Sequence, residues 1–188
     1  MTPWVLPREA VFGGKIYEIH TDYRDILEIL TCFENLELTD SQKWQIALAL
    51  FYEEQIPSDY LQQAMEFLSD FLCGGNVQED VYSPKLLDWR QDANLIIAEV
   101  NKVAGKEIRL LPYVHWWTFL SWFHSIGEGQ LSLVVGIREK LRTGKQLAPY
   151  ESEYYRVHKS TVDLKACYSG RELEEREALN RLLAGEST

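Results

Sequence analysis

Asp88 and Asp92 stand four residues apart, the step that sets two carboxylates on one helix face, where they could hold a metal ion or trade protons with a substrate. Acid pairs at this spacing are also common on acidic helices, one capping or pairing with a surface cation and the other making a structural hydrogen bond, and the residues favour that plainer role. His115 and His124 are nine apart, too far along one helix to share a metal, and no HExxH pattern is present. Gly13-Gly14-Lys15 and Gly144-Lys145-Gln146 have the Gly-Lys step of a phosphate loop but lack the following Ser or Thr and the upstream glycine, so both read as turns. There is no GxSxG elbow. Cys32, Cys73 and Cys167 are widely spaced with no CxxC pair and read as reduced thiols packed as small hydrophobes. These residues name no catalytic group, no metal ligand set and no cofactor.

What the chain has in abundance is aromatic surface. Leu111 to Gly127 reads Leu-Pro-Tyr-Val-His-Trp-Trp-Thr-Phe-Leu-Ser-Trp-Phe-His-Ser-Ile-Gly, with Pro112 placed for a first helical turn and Gly127 for a stop, so a helix is expected over about 112–126. Val114, Trp117, Leu120 and Phe123 form one apolar stripe, and Trp116, Phe119 and Trp122 form a second beside it. A helix apolar on two faces needs neighbours on both. It is too short and too polar to span a membrane, which takes about 20 apolar residues. At 188 residues the chain is one ordinary domain, and its net charge of −10 would repel a phosphate backbone, so neither nucleic acid nor membrane is an expected partner. The N-terminus lacks the basic and apolar regions of a secretion signal.

The remaining elements read as positions around that helix. Residues 1–9, with two prolines and Trp4, form an extended N-terminal arm. Two short β-type runs flank Gly13-Gly14, a pair that supplies positive φ in a tight hairpin. Asp22 caps a helix through Ile26, Leu27, Leu30 and Phe33, and Thr39 with Gln42 has the form of a capping box opening a second, from which Trp44 projects. Pro57-Ser58 opens a third, stopped by Gly74-Gly75, and Ser83-Pro84 opens a long fourth to Gly105. The acidic stretch 76–82 reads as a linker. Residues 131–141 form a helix that Gly136 weakens or adapts to close packing, residues 149–167 are helical in parts, and residues 169–188 form a charged C-terminal helix or tail. The fold class is mainly α: a single helical-bundle domain over 10–168 with a small N-terminal β-hairpin. Folding the fourth helix back on the aromatic one would place Asp92 and His115 in facing halves, so the two are expected to form a buried polar pair that fixes the register.

The chain also resembles the phage and prophage tail-module proteins of Gram-positive bacteria known as bacteriophage gp-fifteen proteins. The likeness lies in Gly14-Lys15-Ile16-Tyr17-Glu18-Ile19, Thr21-Asp22-Tyr23-Arg24, Trp89-Arg90-Gln91-Asp92-Ala93 and His115-Trp116-Trp117-Thr118-Phe119, with an echo in Val135-Gly136-Ile137-Arg138. It implies a tail assembly chaperone, free of catalysis, that coats the tape-measure protein in the host cytoplasm until tube subunits replace it; the alternative is a minor structural tail component that stays in the virion and self-associates as a homo-oligomer. A holdase needs exposed apolar surface, for which Trp4, Trp44, Trp116, Phe119 and Trp122 are the candidates, against the opposing expectation that all are core.

Overall fold

The computed structural model describes residues 4–75 and 85–165. Strands β1 (Glu9–Phe12) and β2 (Lys15–Glu18) pair antiparallel with Ala10 opposite Tyr17. Gly13 and Gly14 make the turn at φ +56° and +80°, and a Cβ on Gly13 would lie 2.0 Å from the Tyr60 hydroxyl. Only glycine meets both demands. Ala10, Phe12 and Tyr17 face inward and are buried, while Val11 and Ile16 face out.

Helix α1 (Tyr23–Phe33) starts where the Asp22 carboxylate accepts the Arg24 N–H, and α2 (Asp40–Phe51) starts at a complete Thr39/Gln42 capping box. A single 3-10 turn, Ser58–Tyr60, leads into α3 (Leu61–Leu72), which Gly74 and Gly75 end with positive φ. Then come α4 (Ala93–Ala104), closed by Gly105, α5 (Trp116–His124), α6 (Gln130–Thr143), closed by Gly144, and the short α7 (Pro149–Val157) and α8 (Lys159–Val162). The main core joins the hairpin to α1–α5 through Ile26, Phe51, Leu68, Phe71, Val100 and Trp116. A second, smaller core of Val134, Ile137 and Val162 joins α6 to α8. The architecture is mainly α with one two-stranded hairpin, and no described helix is long and apolar enough to cross a membrane.

Two elements differ from the sequence expectation, and one open alternative is decided. The long fourth helix begins at Ala93, because the Asp88 carboxylate accepts the Arg90 and Gln91 N–H groups and Asp92 accepts the Asp88 N–H, which turns the chain just before it. The aromatic helix begins at Trp116, four residues after Pro112, because His115 takes the cap position. Gly136 is not a close-packing device, since a Cβ there would meet nothing within 4 Å. The Ser83-Pro84 start, the 76–82 linker, Cys167 and the 169–188 helix or tail lie outside the described residues.

Two glycine substitutions should therefore move stability in opposite directions. Gly136→Ala is expected to raise the unfolding free energy in urea by about 0.5–1 kcal/mol, the difference in helix propensity alone. Gly13→Ala is expected to lower it by more than that, since both the backbone conformation and Tyr60 oppose a side chain.

Candidate functional site

The aromatic helix is fixed at its N-terminus by the loop before α1. The Trp116 N–H donates to Thr21 O (2.8 Å), the Tyr23 N–H to Val114 O (3.0 Å), and the Val114 N–H to the Asp22 carboxylate (3.0 Å). Asp22 also pairs with Arg24, whose guanidinium reaches Leu111 O at 2.7 Å, and Tyr23 stacks on Phe119 with ring centroids 4.9 Å apart. His115 caps α5: its Nδ1 accepts the Trp117 N–H (3.0 Å), so Nε2 carries the proton and donates to Pro7 O at 2.9 Å. Burial holds the His115 pKa below the ordinary histidine value against the pull of the Pro7 carbonyl, and the Arg8 charge adds to the depression.

The same helix closes the end of α3. The last carbonyls of a helix have no partner inside it, and here Phe71 O accepts the Trp117 indole N–H (2.9 Å) while Leu72 O accepts that of Trp116 (3.0 Å). Both indoles satisfy their one polar group this way and leave only hydrocarbon for packing.

Around this junction lie two recesses of about 400 Å³ each that share Cys73 and Leu120 in their walls, the first largely apolar and the second mixed. The first is bounded by Leu30, Phe33, Trp44, Leu72 and Trp89 with Trp116 at its base. The second is lined by Leu6, Gly74, Trp117 and Trp122 together with the polar Thr118, Ser121 and His124. No charged side chain lines the first recess. Burial pushes the Cys73 thiol pKa up, and the negative charge of Asp70 pushes it further. Together the recesses form an aromatic trough of side chains packed on the core from one side and open on the other.

The candidate residues divide accordingly. Trp44, Trp116 and Trp122 line the trough, although Trp116 is only 1% exposed and serves as its base rather than its lip. Phe119 is core, stacked on Tyr23 and Trp116. Trp4 is 94% exposed on the arm and lines neither recess. Leu30, Phe33, Leu72, Trp89 and Leu120 were not among the partner-binding candidates, the leucines and Phe33 reading only as helix faces, yet they supply most of the first wall. Trp89 carried a signal, since it heads the Trp-Arg-Gln-Asp-Ala segment.

Asp92 and His115 are both buried, but they do not bond to each other. Asp92 forms a two-pronged ion pair with the buried Arg138 of α6 at 2.7 and 2.9 Å. Arg138 spends its remaining donors on Val162 O (2.6 Å), Leu86 O (2.9 Å) and Thr161 O (2.9 Å), so all five are satisfied. The correction has a simple cause: a buried carboxylate is best matched by a guanidinium, while His115 is needed neutral as a cap. Asp88 is held by Lys85 and two backbone N–H groups; burial works to raise its pKa, and these bonds outweigh it and leave it lowered. Neither carboxylate of the pair is left to act on a substrate, and no cluster of three metal-ligating side chains occurs among the described residues.

A family model described as Bacteriophage Gp15 protein matches residues 6–164. The chain matches no curated protein and no solved structure.

Two measurements check this geometry. Arg138→Met strands the buried Asp92 and should cost about 3–5 kcal/mol of unfolding free energy, whereas Arg138→Met with Asp92→Leu should cost far less than the sum of the single changes. The unfolded His115 takes up a proton near pH 6.5 and the folded one only at lower pH, so its contribution is complete above about 6.5 and is lost as pH falls through the folded value. The stability of the unsubstituted chain relative to His115→Asn, measured in urea, should therefore decline from pH 7 to pH 5.

Proposed function

Since the chain belongs to the bacteriophage Gp15 protein family, a phage family of structural or morphogenesis type, we propose that it acts without catalysis in tail morphogenesis, as a tail assembly chaperone that binds the tape-measure protein. The observation that carries this reading is the trough: half-buried tryptophans and leucines fixed from behind by a rigid core, set in a chain of net charge −10. Open apolar surface of this kind suits a polypeptide partner, and the surrounding charge keeps the unoccupied protein in solution. The titratable pair that could have argued for hydrolysis is spent on structure. The setting of such a role is the host cytoplasm, where tails are built.

The second reading, a minor tail component retained in the particle, makes the opposite prediction about the finished phage. Mass spectrometry of purified virions should find the chain absent, and affinity capture from cells blocked in tail-tube polymerisation should bring down the tape-measure protein with it. The chain present in virions at fixed stoichiometry would replace the chaperone reading with the structural one.

A further inference from the structure

The trough has an asymmetry that narrows the chemistry of what fits it. On α3, Ser69, Leu72 and Cys73 face the first recess, and Glu66 and Asp70 stand on the adjoining edge of the same helix, one turn apart and both exposed. Neither acid is in an ion pair among the described residues; Glu66 accepts only the Gln62 amide, four residues back. Of the cations nearest in sequence to the recess walls, Lys43 is engaged with Asp40 at 4.0 Å and Lys85 with Glu34 and Asp88 at 3.0 and 2.9 Å, while Arg90, beside Trp89, lines the neighbouring recess of Glu28 and Cys32 and not this one. One rim of the trough therefore carries two negative charges that have no ion-pair partner among the described residues.

Backbone accounting narrows it again. A strand adds to a partner through unpaired main-chain groups, yet the carbonyls at the end of α3 that border the trough are taken by the two indoles. Gly74 apart, the residues that line the recesses offer side chains, and none of them lies in a strand that a partner could extend. An α-helix, whose own N–H and C=O groups are already paired, is the segment that can lie there without leaving backbone groups unsatisfied.

We propose that the trough takes an amphipathic helix of a partner chain, its aliphatic side chains seated in the two recesses on either side of Leu120 and its lysine or arginine residues, spaced by about one turn, along the edge that meets Glu66 and Asp70. This rests on the chaperone reading for the identity of the partner, not for its chemistry. Opposite charge across a rim sets register and association rate, and the apolar contacts supply the affinity.

Two labelled helical peptides of about 18 residues, with leucines at the same i, i+3, i+4, i+7 positions and either lysine or glutamate on one flank, test it against the full chain by fluorescence anisotropy. The lysine peptide should bind about tenfold more tightly at low salt, with the gap closing at high salt. Glu66→Lys with Asp70→Lys should reverse the preference, whereas Glu9→Lys with Glu18→Lys, the same charge change on the outer face of the hairpin, should not. Leu120→Ser should weaken both peptides. Equal binding of the two peptides, or a reversal produced equally by the hairpin variant, overturns the proposal. Capture of the tape-measure protein separates this from the reading it rests on: if the Glu66/Asp70 variant still captures it at full level, the assigned edge is wrong and the chaperone role stands. If the unsubstituted chain captures none while the peptides behave as expected, the docking chemistry stands and the chaperone role falls.

Discussion

A helix that ends inside a protein must find donors for its last carbonyls, and leaving one buried without a partner costs about 1–3 kcal/mol. In this chain α3 ends against α5, and the two adjacent indoles of Trp116 and Trp117 supply the donors. Leu72 O has the Trp116 indole as its donor, while Phe71 O accepts the Trp117 indole beside the Gly74 N–H, so two adjacent indoles tie two successive carbonyls to one helix. The arrangement fixes α5 across the end of α3, and the space on either side of Leu120 becomes the aromatic trough. The tryptophans that make the junction are thereby removed from the surface, and Trp122, further along the same helix, is left beside it.

The segments that carry the family likeness turn out to be joined in space. Thr21-Asp22-Tyr23-Arg24 is hydrogen-bonded to the residues just before and at the start of α5. Gln91-Asp92 is bonded to Arg138, to Asp163 O and to the Lys165 N–H, which fastens the small α6–α8 core to the rest. Each likeness is a piece of framework. With these polar residues consumed in holding elements together, the proposed partner surface rests on side chains that contribute shape and hydrophobic area.

Much of this was legible before any coordinates. Asp22, the Thr39/Gln42 box and the Gly13-Gly14 turn are local signals whose physics is complete within a few residues, and each stands where the sequence placed it. The start of α4 was not legible, because a Ser-Pro start signal competes with an aspartate turn that a distant arginine holds in place. The partner of Asp92 was illegible for a related reason: sequence shows that a buried acid needs a cation, but not which of 19 basic residues the topology delivers. Arg138, next to the buried Ile137 in an apolar run, was the available hint. For the candidate site, helical spacing separated two stripes on α5, yet it could not say that Trp116 and Phe119 pack inward while Trp122 remains at the rim, since that depends on where α3 ends.

If the inward tryptophans belong to the fold and those lining the trough meet the partner, fluorine NMR of the chain carrying 5-fluorotryptophan at its six tryptophans reads that division directly. On adding the tape-measure protein, the resonances of Trp44, Trp89 and Trp122 should lose their water-to-deuterium isotope shift, while Trp4 keeps its own and Trp116 and Trp117 show little shift in either state. Loss of the shift at Trp4 with Trp44, Trp89 and Trp122 unchanged would contradict it.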